Sequence, residues 1–416
     1  MPFRAASLLL MLAFLASAPL AQEAPTGTLR VAYDCQTGGC DRDFFQTELP
    51  YVQFVRDQGD ADVFVLITSE STGGGGQRYA LAFSGRNTYD GQTNRLNVSV
   101  PADATEDDAR RALLSRLRLG LTGYVARTPL AERLTIAYAA PEATGEAAVP
   151  EADPWNGWVF SLSGSSFFQG QSRSSSFNGY GNFSAERTTE AWKTRLNVFS
   201  SYNRDAFDID SVTTIVSETS SQGGSGLVAR SLSEHLTAGF EGSVNRNTFS
   251  NFDARFIAGP AVEYSLYPYS ESTQRLVTAK YGLGVEVAAY ADTTIFGEIR
   301  EVLPRHAVEI GTNLSQPWGS VDVSVFGQQY LSRPDKYQAG LNGGFNVRVA
   351  RGLQVDVYAS ASYIRNQLSL AAGDRSPEEI LTQQRELATN FRYFGNLGIT
   401  YSFGSIFNQT VNPRFR

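Results

Sequence analysis

From Trp158 to Phe403 the chain repeats a beat of two: about a dozen short runs in which every second residue is apolar and the rest are polar. Successive strand side chains point to opposite faces, so each run has one greasy and one wet face. Trp158, Phe160, Leu162 and Phe168 share a face of the first run, and Tyr281, Leu283, Val285 and Val287 share one of the seventh. Phe391, Tyr393, Leu397, Ile399, Tyr401 and Phe403 share one of the last. The opposite faces carry charge, and the turns come at an even spacing. This predicts an α+β chain: a 12-stranded antiparallel transmembrane β-barrel over 155–405, preceded by a small periplasmic α/β domain over 27–139.

The same alternation assigns the wet face. Lys193, Arg195, Glu241, Arg255, Glu263, Lys280, Glu286, Glu309, Asp322, Arg348, Asp356 and Arg392 all fall in the phase opposite to the apolar residues. Facing lipid near the midplane, each would cost about 2–4 kcal/mol, so they are expected to face the lumen. A lumen cross-braced by ion pairs is the plainer reading. A narrow channel whose charges select solutes is the sharper one. If the first strand ascends from the periplasm, Trp155, Trp158, Trp192 and Trp318 fall at one rim, where indole is best satisfied. Pro260 and Pro304 lie inside strands that have no free edge in a closed barrel, which predicts bulges there. The longest loop, 366–386, contains a helix start at Ser376, Pro377 and Glu379 and is expected to fold over the outer mouth.

The front of the chain has a different pattern. Residues 1–21 read as a signal peptide, with Arg4 before the apolar run Leu8 to Leu15 and small residues after it. Strands are expected at Leu29 to Tyr33, Asp62 to Thr68, Arg78 to Phe83 and Leu96 to Val100, and Asp41 should cap a short helix. Thr105 and Asp108 form a capping box ahead of Ala109, Leu113, Leu117 and Leu121 at helical spacing. Gly73 to Gly76 lacks the Lys-Ser/Thr of a phosphate cradle and reads as a hairpin tip. Residues 140–154, with Pro141, Pro150 and Pro154, read as a linker of ~3.1 Å per residue if extended, letting the domain hang below the barrel.

Composition narrows the chemistry. A net charge of −7 argues against a nucleic-acid partner. Cys35 and Cys40 bracket Gln-Thr-Gly-Gly; in an exported chain a disulfide leads, with a free or redox-active pair as the alternative. A metal site lacks ligands, since His235 and His306 are the only histidines, and no cofactor is expected. His306 points outward in its strand with no supporting base partner there, so the chain is not read as an enzyme; a barrel lipid hydrolase is the minor alternative. Asn396, Gly398, Tyr401 and Phe403 follow the layout of an assembly signal on the last strand, which implies the barrel-insertion machinery and outer-membrane lipid as partners.

Tyr401-Ser-Phe-Gly-Ser-Ile-Phe-Asn408, then Val411-Asn-Pro-Arg-Phe415, with Glu263-Tyr-Ser-Leu-Tyr-Pro-Tyr269, resembles the salt-induced outer-membrane β-barrel family. The resemblance covers residues 155 to 415 and implies a barrel of undefined function, with no catalytic residues and with 406–416 as a periplasmic tail. The front domain is similar to the periplasmic α/β domain of the Tol translocation protein. The expected role is that of a structural or narrow-channel protein of the cell outer membrane. The alternative is a scaffold that binds a periplasmic protein partner through the front domain.

Overall fold

The computed structural model describes residues 28–135, 137, 153–209, 212–373 and 386–404. The expected signal peptide (1–21), most of the expected linker, the helix start expected at Ser376 and the expected tail 406–416 lie outside the described residues. The front domain runs β1 (Leu29–Cys35), α1 (Arg42–Glu48), β2 (Val52–Phe54), β3 (Val63–Ser71), β4 (Gln77–Gly85), β5 (Thr93–Val100) and α2 (Glu106–Val125). Its sheet has the order β2-β1-β3-β4-β5, with β1 parallel to β2 and β3 and the other pairs antiparallel. Alternation splits this sheet into two faces. Val31, Val65, Ile67, Leu81 and Phe83 pack with Leu113, Leu117 and Leu121 of α2 in the main core. Ala32, Phe64 and Leu66 point the other way and form a second, smaller cluster.

Local chemistry sets the helix starts. Asp41 accepts from the Phe44 N–H at 3.0 Å to cap α1. At α2 the Asp108 carboxylate accepts from the Thr105 N–H at 2.9 Å, and the Thr105 hydroxyl accepts from the Asp108 N–H at 3.2 Å. Those bonds to Thr105, the backbone N–H first, hold the Asp108 carboxyl below its ordinary range. A depressed carboxylate stabilises the fold above its unfolded pKa and loses that contribution as pH falls through the folded one. Circular dichroism of the wild type should therefore show α2 weakening below pH ~4, with Asp108→Asn showing less acid sensitivity.

The second unit is a meander of twelve antiparallel strands, each paired with its sequence neighbours. They are β6 (Trp158–Gln171), β7 (Ser174–Thr188), β8 (Trp192–Asp208), β9 (Thr214–Ser231), β10 (Leu236–Asn247) and β11 (Phe252–Ser265). Then come β12 (Arg275–Tyr290), β13 (Arg300–Gln316), β14 (Gly319–Tyr330), β15 (Arg333–Ala350), β16 (Leu353–Ile364) and β17 (Phe391–Tyr401). The strand count and the alternation agree with the sequence reading. Contacts that jump strands show the curl. Asn251, after β10, donates to the Ser369 carbonyl, after β16, at 2.9 Å, and the Ile295 N–H, after β12, donates to the Leu370 carbonyl at 2.8 Å. The sheet thus bends into a barrel whose far walls meet across one mouth. Its edges are β6 and β17, and among the described residues no ladder joins them.

The bulges expected at Pro260 and Pro304 are not there. The β11–β12 register is the same on either side of Gly259 and Pro260, which simply drop out of the ladder. Pro304 stays in register opposite Val285, beyond the last β13–β14 pair at Arg305 and Tyr330, so little pairing is lost. Register shifts occur instead near ladder ends, as between Asn245 and Asn247 or Arg348 and Ala350. Trp155, Trp158, Trp192 and Trp318 lie at or beside the same ends of their strands, as the alternation implied.

In the domain, α2 lies so close to β4 that a Cβ at Gly120 would fall 2.1 Å from the Phe83 ring. Helix propensity favours Ala over Gly by roughly 1 kcal/mol, but overpacking a buried ring costs about 1–3 kcal/mol. Phe83 is buried and cannot swing aside. Gly120→Ala should therefore lower the melting temperature of the domain, read by circular dichroism.

Candidate functional site: the lumen and its two closed mouths

The concave side is identified by side chains that reach over an intervening strand. Lys280 of β12 approaches Glu241 of β10 at 3.2 Å, and Tyr330 of β14 donates to Glu286 of β12 at 3.2 Å. The charges assigned to the wet face lie on this side. Glu263, Lys280 and Glu309 stand in one cross-strand row, with Lys280 3.6 Å from Glu309. Glu263 accepts from the Tyr269 hydroxyl at 2.9 Å. Arg195 pairs with Glu186 at 2.9 Å. Asp322 accepts from Asn313 at 3.0 Å, and Asp356 accepts from Gln354 at 3.2 Å and from Asn346. Lys193 stands opposite Thr188, and Arg392 opposite Ser362. Most of these charges are therefore bound up in local braces. A cavity of about 420 Å³ lies among them, walled by small residues such as Gly259, Ala261, Gly282 and Gly284, with Arg195, Glu241 and Arg305 at its edges.

Near the mouth carrying the long loop, the lumen narrows around Glu286, which is only 1% exposed. Its carboxylate takes two bonds from Arg255, at 2.8 and 2.9 Å, and one from Arg305 at 3.4 Å. Tyr290 donates to Glu301 at 2.7 Å, and Arg333 pairs with Glu301 at 2.8 Å. Leu303, Tyr330 and Leu368 make a small apolar cluster beside them. The chain after β16 supplies the lid of this cluster: Leu368, Leu370 and Ala371 are buried, and Thr294 bridges Ala371. The expected folding of loop 366–386 over the mouth is thus carried by its first residues. Arg305 and Glu301 are missing from the charges the sequence reading assigned to the wet face, although both share the phase of Glu309.

The opposite mouth is occupied by the front domain. The helix-free face of its sheet and the loops beside that face contact the barrel's tight turns. Gln36 donates to the Gln316 carbonyl at 3.2 Å and Gln58 to the Pro317 carbonyl at 3.3 Å. Asp57 accepts from the Gly352 N–H at 3.3 Å, and Asp60 pairs with Arg351 at 2.5 Å. Glu70 accepts from Ser272 at 3.3 Å, and Asp34 lies 3.9 Å from Arg348 inside the lumen. At the far side, a Cβ on Gly73 would fall 2.7 Å from the Thr188 carbonyl, so this hairpin tip needs glycine to approach so closely. The domain is seated across the mouth and does not hang below it. Cys35 and Cys40 are disulfide-bonded, and the loop they close presents Gln36 to the barrel. A polar cavity of about 460 Å³ remains beneath, lined by Asp34, Gln36, Asn313, Asp322, Arg348 and others.

Asn396, Gly398 and Tyr401 lie on β17, with Phe403 just beyond it. Outside the barrel, His306 bonds Tyr281 through Nδ1 at 3.3 Å and Gln329 through Nε2 at 3.1 Å. No cluster of metal-ligating side chains occurs among the described residues.

No family model matches the chain, and no curated protein matches it. Among solved structures it is similar to the translocator domain of autotransporter NalP from Neisseria meningitidis, with 9% identity and a TM-score of 0.20. That match covers 59% of this chain and 81% of the other, and so slight a likeness has no bearing on function.

Removing one partner of a buried ion pair typically costs about 3–5 kcal/mol, whereas an exposed pair contributes roughly 0–1 kcal/mol. Glu286→Ala, which leaves Arg255 and Arg305 facing each other, should lower the temperature at which the barrel unfolds on heated SDS gels. Glu186→Ala, which breaks the exposed pair with Arg195, should leave that temperature nearly unchanged.

Proposed function

We propose that the protein is an outer-membrane barrel closed at rest by two plugs, the front domain at the periplasmic mouth and the start of the long loop at the outer one. The outward rows support the membrane: Leu162, Phe168, Val302, Ile310, Leu397 and Ile399 are among many large apolar side chains exposed on them. So many exposed apolar side chains on one face make a surface far larger than the patches that soluble monomers leave in water. No helix among the described residues is long and apolar enough to cross a membrane, and in this reading the strands cross it.

The observation that carries the gate is the polarity of the domain's seat. It consists of hydrogen bonds to turn backbone and ion pairs such as Arg351 with Asp60, and among the described residues the domain's apolar clusters include no barrel residue. Such contacts exchange readily for water, so the domain is the movable plug. A twelve-stranded lumen is narrower than that of a sixteen-stranded porin, which restricts any passage to small solutes. Its function is then structural at rest and channel-like only when both mouths are released. In this reading His306 is a structural histidine, with both ring nitrogens engaged by Tyr281 and Gln329.

Planar-bilayer recordings test this. Wild-type protein should be silent, whereas Asp60→Ala combined with Leu368→Ala should give discrete conductance steps. Steady steps from the wild type would overturn closure at rest. Silence of the double variant would reduce the role to a structural one.

A further inference from the structure

The outward face of β13 to β15 has a polar row where the neighbouring rows are apolar. His306, Gln329 and Tyr337 are direct cross-strand partners on that face. The next row toward the domain end is Val308, Gly327 and Ala339, and the one after is Ile310, Val325 and Leu341. Two small residues between bulky neighbours leave a notch of about 320 Å³, floored by Val308, Gly327 and Ala339 and edged by His306, Gln329 and Tyr337. Its polarity therefore runs along the barrel axis, apolar toward the middle and hydrogen-bonding toward the long-loop rim.

The polar edge is fixed in place. His306 donates from Nε2 to Gln329 and accepts at Nδ1 from Tyr281, while Gln329 donates to the Pro334 carbonyl at 2.7 Å. Beyond Tyr337 the row continues into Arg365, whose N–H donates to the Tyr337 carbonyl at 2.8 Å. The Arg365 guanidinium lies 5.7 Å from the centre of the Tyr363 ring, which is 6.0 Å from Tyr337. A guanidinium beside the Tyr363 ring at the rim, above a greasy slot, matches a molecule with an anionic head and a hydrocarbon tail.

We propose that this notch holds one bilayer lipid with an anionic headgroup, its acyl segment against Val308, Gly327 and Ala339 and its phosphate near Tyr337 and Arg365. The proposal rests on the outer-membrane reading above. Apolar burial in the slot supplies retention, and the guanidinium supplies the preference for charge. Gly327 and Ala339 are then small because the tail needs their space.

The full chain is reconstituted into vesicles of equal phosphatidylglycerol and phosphatidylcholine, floated on a density gradient, extracted in mild detergent and weighed by native mass spectrometry. Wild type should float and retain one phosphatidylglycerol per chain. Ala339→Leu, which fills the slot, should float equally, keep its heat-modifiable gel shift and retain about tenfold less lipid. Arg365→Gln should retain lipid but lose the preference for phosphatidylglycerol. Equal retention by wild type and Ala339→Leu, no retained lipid in wild type, or an unchanged preference in Arg365→Gln would overturn the proposal. Failure of the wild type to float would instead remove the membrane reading beneath it.

Discussion

A peptide group in hydrocarbon has no water to turn to, so each N–H and C=O must find a partner in the chain itself. Neighbour-to-neighbour ladders meet that demand between successive strands from β6 to β17, with local gaps such as Gly259 and Pro260 and with the outer edges of β6 and β17 left over. Once the ladders are set, side chains have two destinations and no third. Parity then sorts Leu283 and Val285 to one environment and Lys280 and Glu286 to the other, and the whole character of the lumen derives from that sorting.

Because charge is confined to the concave side, it must be neutralised within a small space. The structure does this by adjacency in the ladders: Glu263, Lys280 and Glu309 alternate in sign across three strands, and Glu286 is shared by Arg255 and Arg305. The braces stiffen the wall, and Glu286, Glu301 and their arginines also occupy space near one mouth. The two ends are shut by different means. One uses apolar burial of Leu368 and Leu370, the other a polar seat of glutamines and aspartates on turn backbone.

The fold was legible because period two survives any tertiary arrangement. The strands, the capping box at Thr105 and Asp108, and the Cys35–Cys40 pair all follow from local spacing. What was not legible depends on distant partners. β2 is three residues long and shows no period of its own; its pairing with β1 defines it. The seat of the domain joins Asp60 to Arg351 and Gln36 to Gln316, pairs nearly three hundred residues apart that no local pattern announces. Arg305 and Glu301 were within reach, since extending the β13 alternation toward Arg300 exposes both.

The two edge strands have a consequence for how the chain must be handled by a cell. β6 contains no charged residue and no proline, the usual means by which a terminal strand repels its like. Left in water, its bare row of amides would zip onto any other extended peptide, copies of itself included. Until that edge is paired it is therefore safest in the grip of an escort, and refolding at high protein concentration without detergent should yield precipitate.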